Sequence, residues 1–254
     1  MSLKIFDLTG KVAMVTGSTK GLGETSAKAL AKAGADVAVC GRNPDDLKRV
    51  PIEIKALGRD SAGFELDVLS KAQVEKGVKQ ILHHFGRIDI LVNNAGTNYR
   101  VPVLEYPEDK WDLIINTNLK GYFLVAQAVV PQMIERGYGK VINMSSIFGK
   151  TPLQHQLAYA SSKGGVDQMT KVMALEWAKL GVRVNAIGPT YFETDMVKQI
   201  RNDPERFNFI NERTPMGRWG YLPELEGTVV FLASPASDFV TGQTIYVDGG
   251  WTVW

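Results

Sequence analysis

Tyr159 and Lys163 stand four residues apart in the run Tyr159-Ala160-Ser161-Ser162-Lys163. That is slightly more than one helical turn, so on a helix the two side chains leave the same face. A free tyrosine ionises near pH ~10 and exchanges protons poorly at neutrality, whereas an ammonium beside it favours the phenolate and lowers that value. The pair could therefore shuttle a proton, although the same spacing also occurs on helices without chemistry. Near the other end of the chain, Gly17, Gly21 and Gly23 punctuate the run Gly17-Ser18-Thr19-Lys20-Gly21-Leu22-Gly23. Such a turn lets backbone approach a pyrophosphate at a helix N-terminus, and it also serves ordinary strand-to-helix turns.

The elements around these residues must bring the two ends together. Lys11 to Thr16 is a short β-rich run that opens into the glycine turn, and a helix predicted from Leu22 to Ala33 follows, stopped by Gly34. The rhythm repeats with a strand over Asp36–Cys40, a helix over Pro44–Leu57 and a strand over Gly63–Leu66. A helix capped by Ser70 and stopped by Gly86 comes next, then a strand over Ile88–Val92. The second half predicts helices over Asn118–Arg136, Tyr159–Leu180 and Leu222–Ala233, with strands over Lys140–Met144, Val182–Ile187 and Thr244–Val247. Apolar strands without clean alternation, interleaved with helices, predict an α/β chain: one doubly wound Rossmann fold spanning residues 1–254, with a seven-stranded parallel sheet covered on both faces. Gly188 to Tyr221 breaks the rhythm. A connection of that length suggests a lid, and Met196, Val197, Ile200, Phe207, Phe209 and Ile210 predict that it is helical.

Composition narrows the partners. With 29 basic and 27 acidic residues, a net charge of +2 and no block of like charges, nothing suggests a nucleic-acid or membrane arm. A small-molecule ligand is expected. Cys40 is the only cysteine, so no internal disulfide can form, and a reducing cytoplasm is the expected setting. The opening residues lack the apolar core of a signal peptide, and no membrane span is expected. The adjacent His83 and His84 diverge by about 100° on a helix, so no metal site is expected.

The second strand leads into Cys40-Gly41-Arg42-Asn43, the place where an acidic residue would hold the 2′-hydroxyl of NAD. Arg42 instead offers a fork suited to a phosphate, and Lys20 adds a second positive charge, so NADP(H) is predicted over NAD(H). Asp67-Val68 and Asn93-Asn94-Ala95-Gly96 follow the third and fourth strands, at the edge where such sheets bind ligands.

Taken together, Thr16-Gly17, Gly21 and Gly23, Asn93 to Gly96, Asn118, Ser146, Tyr159 with Lys163, and Val247-Asp248-Gly249-Gly250 resemble the short-chain dehydrogenase/reductases over the whole chain. The resemblance implies a catalytic tetrad of Asn118, Ser146, Tyr159 and Lys163; its spacing selects Ser146, thirteen residues before Tyr159, over Ser145. Tyr159 would exchange the substrate proton, Ser146 would hold the substrate oxygen, Lys163 would bind the nicotinamide ribose and lower the Tyr159 pKa, and Asn118 would anchor a relay water. It also implies that Ser18, Thr19, Leu22, Asn43, Val68 and Asn94 lie along the cofactor, with Ile187, Pro189, Thr190 and Thr194 near its nicotinamide end. Thr190 stands where the family usually has glycine. A homotetramer is implied as well.

Finer features, Tyr191-Phe192 with Thr194, Arg213 to Gly220, and Asp248 to Trp251, are similar to the sugar-acid and polyol branch, which includes gluconate 5-dehydrogenases and 2-deoxygluconate 3-dehydrogenases. Arg100 is then the candidate for a substrate carboxylate, with a solvated surface arginine as the competing reading, and His155 could reach a sugar hydroxyl. Two other readings of the chain are a 3-oxoacyl carrier-protein reductase and a nucleotide-sensing protein without catalysis.

Overall fold

A strand buried on both faces has no polar side to alternate with, and Val12–Thr16 (β1) is buried at every position. The same holds for Ile90–Asn93 (β4) and Gly139–Met144 (β5). In the computed structural model, which describes residues 3–194 and 197–253, these pair with Asp36–Gly41 (β2), Ser61–Glu65 (β3), Val182–Pro189 (β6) and Thr244–Val247 (β7). The seven strands form one parallel sheet in the order β3-β2-β1-β4-β5-β6-β7. Strand order reverses between β1 and β4, so the loops after those two strands diverge and leave a crevice at their carboxyl ends.

Side-chain period divides β1 between two cores. Ala13 and Val15 pack on one face with Leu30 of Gly21–Lys32 (α1) and with Leu225 and Val229 of Pro223–Ala233 (α9). Met14 faces the opposite layer, with Val74 of Lys71–Phe85 (α3), Val125 of Gly121–Glu135 (α5) and Met173 of Leu157–Trp177 (α6). Asp46–Lys55 (α2) flanks the β3 edge. The Ser70 hydroxyl accepts from the Gln73 amide at the start of α3, and Gly86 ends that helix in the left-handed region.

The largest departure from the sequence reading lies before Asn118. The chain forms Glu108–Ile115 (α4), then a π-helical turn over Asn116–Lys120, before α5 begins at Gly121. Pro107 opens α4, and the widened turn seats Gly121 directly on Val68, where a β-carbon would come within 2.9 Å of its side chain. By length and composition the continuous stretch Glu108–Glu135 could cross a membrane, but half of its apolar window is buried inside the molecule, as expected of a core helix.

The segment after β6 contains Lys198–Arg201 (α7) and Pro204–Arg213 (α8), the latter capped by Asp203, whose carboxylate accepts from the Arg206 amide. Val197, Ile200 and Ile210 pack with Tyr191, Trp219 and Trp251 in a third apolar cluster, joined by half-buried Phe207, while Phe209 stays exposed. Met196 lies outside the described residues.

Candidate active site

The crevice begins where two loops lock. Asn94 donates from Nδ2 to the carbonyl oxygens of Thr16 and Gly17, both at 3.0 Å, while the Asn94 and Ala95 amides donate to the Thr16 hydroxyl at 2.9 and 3.2 Å. Contact this close excludes side chains. A β-carbon on Gly17 would sit 2.9 Å from Ala95 Cα, and one on Gly23 would strike the Gly17 carbonyl and the Asn94 amide. Gly17 and Gly21 also adopt φ of 62° and 56°. The glycines thus leave a smooth trough at the start of α1.

From this trough a cleft of about 360 Å³ runs past Thr19, Lys20, Leu22 and Arg42, then Asp67, Val68, Ala95 and Gly96, to Tyr159, Lys163, Pro189 and Thr194. Arg42 is largely exposed, with only a loose 3.8 Å contact to Asp67. No carboxylate of β2 reaches the cleft, so the trough with Lys20 and Arg42 fits a dinucleotide carrying a 2′-phosphate.

Three residues expected along the cofactor do not line this cleft. Ser18 is fully buried; its hydroxyl donates to the Val15 carbonyl at 2.7 Å and accepts from the Cys40 amide at 2.9 Å, stapling β1 to β2. Asn43 turns its amide oxygen to the Asp45 and Asp46 amides and starts α2. The Thr190 amide donates to Val247, tying it to β7. The side chains of Ser18 and Asn43 are held by backbone donors or acceptors, a competition that motif spacing does not reveal, whereas the Thr190 hydroxyl is buried without a hydrogen-bond partner. The cleft also uses Thr97, Leu113, Thr117 and Ser145, which the sequence reading did not assign to the cofactor. The first three lie on or near the α4 segment that it missed.

At the far end of the cleft stand the reactive groups. Ser146 follows β5, and a 3₁₀ turn over Ile147–Gly149 fixes it, the Phe148 amide donating to its hydroxyl. Burial raises the Tyr159 pKa above its ordinary value; a hydrogen bond from the Ser146 hydroxyl and the charge of Arg100 oppose that rise. Ser146, not Ser145, thus contacts the phenol, while Ser145 turns toward the Lys163 carbonyl and the Asp167 carboxylate.

Lys163 reaches toward both tyrosines: its Nζ lies 5.6 Å from the centre of the Tyr159 ring and 5.1 Å from that of Tyr122. Its Nζ donates to the Met144 carbonyl at 2.7 Å and to the Tyr122 phenol at 3.4 Å, and the forces on the Tyr159 pKa come from burial, Ser146 and Arg100. Burial pulls Lys163 itself down to about 7, against the pull of Asp167 one turn further along α6. Asn118 is fully buried: its amide exchanges hydrogen bonds with the Thr97 main chain, both at 2.9 Å, and donates to Ser162 at 3.2 Å. Its side chain thereby braces the loop after β4 against α6.

A second cavity, about 530 Å³, is lined by Arg100, His155 and Gln156 together with Tyr191, Ile200 and Arg206. Arg100 and His155 thus line one cavity. His155 holds a left-handed φ of 63°, alone among the described non-glycine residues, so its loop turns sharply into the cavity wall. Gln156 accepts from the Asn98 amide at 2.9 Å, joining the two loops of that wall. Arg206 was missed. Its only sequence signal, Asp203-Pro204 as a helix start, places it on α8 but not against Arg100.

Comparison with known proteins agrees with this geometry. The sequence model of a family described as Enoyl-(Acyl carrier protein) reductase matches residues 17–252. Gluconate 5-dehydrogenase of Gluconobacter oxydans (strain 621H) is 41% identical over 249 residues, covering 98% of this chain and 97% of that protein. The 2-dehydro-3-deoxy-D-gluconate 5-dehydrogenase of Escherichia coli (strain K12) is 42% identical over 252 residues, 99% of each. A crystal structure of a gluconate 5-dehydrogenase from Burkholderia cenocepacia J2315, in complex with NADP and tartrate, superposes with a TM-score of 0.96 at 40% identity, covering 99% of this chain and 98% of that one. With the glycine trough at the sheet's switch point, Ser146 on Tyr159 and Lys163 one turn along α6, these matches over nearly the full length establish that the chain belongs to the short-chain dehydrogenase/reductases.

Proposed function

We propose that the protein is an NADP(H)-dependent dehydrogenase that interconverts a secondary alcohol and a ketone of a sugar acid, in the manner of a gluconate 5-dehydrogenase. The observation that carries this reading is that Tyr159 lines the dinucleotide-shaped cleft and feels the charge of Arg100, which lines the second cavity. When bound, the nicotinamide supplies the hydride acceptor or donor. Residues 17–23 would hold its pyrophosphate, Arg42 and Lys20 the 2′-phosphate, Val68 and Asn94 the adenosine half, Lys163 the nicotinamide ribose, and Pro189 and Thr194 the nicotinamide end.

Ser146 holds the substrate oxygen and Tyr159 takes the hydroxyl proton during oxidation or returns it during reduction. Arg100 orients the carboxylate, which fixes which carbon of the chain reaches Tyr159. His155, in the same wall, is placed to meet a sugar hydroxyl. Asn118 holds the loop after β4 and so keeps Gly96 and Thr97 against the cleft.

The active form is proposed to be a homotetramer. Exposed apolar Leu113, Phe123, Val172 and Leu175 on α4, α5 and α6 support pairing of these helices between copies, and light scattering at micromolar concentration tests it. A single buried cysteine and a net charge of +2 suit a reducing cytoplasm and a small-molecule substrate in place of nucleic acid or membrane.

The deciding experiment follows nicotinamide absorbance with NADP⁺ over gluconate, 2-deoxygluconate and common polyols, and with NADPH over the corresponding ketones. Turnover of the acids supports the reading. Silence across the panel, with turnover of a 3-oxoacyl thioester, overturns it.

A further inference from the structure

Among the described residues, the second cavity is lined by two guanidinium groups and no carboxylate. Arg100 lies on the loop after β4, mostly buried; its Nε has no hydrogen-bond partner, and no acidic residue among those described pairs with it. Burial holds its pKa below the ordinary arginine value, and the charge of Arg206 pushes the same way, so the two groups are close enough to repel. Arg206 comes from a different element, α8 of the segment after β6, and lines the same cavity. Its Nε makes one long contact, 3.5 Å, with Asp203 on its own helix, and its terminal nitrogens make no ion pair among the described residues. Tyr159 and Tyr191 stand near Arg100 but stay neutral, because burial raises both phenols, Tyr191 to about 12. Two like charges turned toward one partly dry space are unfavourable unless an anion joins them. Planar forks from two elements suit a carboxylate with two oxygens.

We propose that Arg206 and Arg100 form a clamp on the substrate carboxylate, so that Arg206 is a specificity-determining residue supplied by α8. The proposal rests on the sugar-acid reading given above and adds the residue that selects acids over neutral polyols. An acid substrate bridges the two groups and draws α8 toward Arg100; a neutral substrate leaves the repulsion in place.

The test compares gluconate with a neutral polyol that the wild-type enzyme also oxidises, in Arg206→Ala and Arg206→Lys, with NADPH affinity measured by fluorescence titration as a check on folding. Because Arg206 is about half exposed, truncation opens no core cavity. In Arg206→Ala, the ratio of kcat/KM for gluconate to that for the polyol should fall about 10- to 100-fold, chiefly through KM, and Arg206→Lys should recover part of it. A parallel loss for both substrates would mean that Arg206 only supports α8, and would overturn the clamp. So would an unchanged ratio in Arg206→Ala beside a wild-type enzyme that prefers gluconate. A wild-type enzyme that shows no preference for gluconate over the polyol would instead overturn the sugar-acid reading itself.

Discussion

The ammonium of Lys163 donates to the Met144 carbonyl at 2.7 Å and to the Tyr122 phenol at 3.4 Å, and it lies 5.6 Å from the centre of the Tyr159 ring, with which it shares a face of α6. Its environment is dry, and Asp167 only partly offsets the loss of hydration, so Lys163 sits at about 7 in the ligand-free protein. This pKa lies below the unfolded value of ~10.4, so between these limits the unfolded chain binds more protons. The burden on the fold is complete below about pH 7 and is relieved as pH rises toward the unfolded value. Removing the amine in Lys163→Met should therefore help stability most at low pH. The melting temperature of wild type relative to Lys163→Met is expected to increase from pH 6 to pH 9 in the absence of cofactor; a flat difference would contradict the shift.

Tyr159→Phe removes the proton carrier while keeping the ring that packs edge-on against Phe148. Turnover should fall by about 10²- to 10⁴-fold, with NADPH still bound, as measured by steady-state rates and fluorescence titration.

Ser146→Ala tests the hydrogen bond to that phenol. Burial already raises the Tyr159 pKa and Ser146 pulls it down, so loss of the hydroxyl lets it climb further. Alcohol oxidation, which needs the deprotonated phenol, should then rise with pH along a limb displaced to more alkaline values. Part of the rate loss at neutral pH should be recovered there. A limb that stays in place would mean that Ser146 does not set the phenol's pKa.

Arg42→Ala removes the exposed fork at the end of β2. NADPH should bind about 10- to 100-fold more weakly, the range of a charge-assisted hydrogen bond, while NADH affinity should change little. Paired titrations with the two cofactors read the difference.

Gly23→Ala introduces a β-carbon against the Gly17 carbonyl and the Asn94 amide, both held by the lock between the loops after β1 and β4. Overpacking of about 1–3 kcal/mol is expected, with loss of cofactor binding, measured by denaturant melts and NADPH titration. A stable variant that binds normally would show that the two loops can separate.

Much of this protein is determined by sequence alone. The parallel sheet and the helix stop at Gly86 follow from short-range patterns, because strand burial and left-handed caps are local properties, whereas the choice of Ser146 over Ser145 is implied by the resemblance to the family. The α4 segment escaped because Glu108–Ile115 and the π turn after it are set by packing on Val68, a residue some fifty positions away. Ser18 and Asn43 look like ligands in the motif and are claimed by neighbouring backbone amides or carbonyls, a contest that only folded coordinates decide. Tertiary structure alone decided the rest: that Lys163 leans on Met144, and that Arg206 of α8 lines one cavity with Arg100. Charge and hydrogen-bond partners depend on distance in space, and spacing along the chain carries no record of that distance.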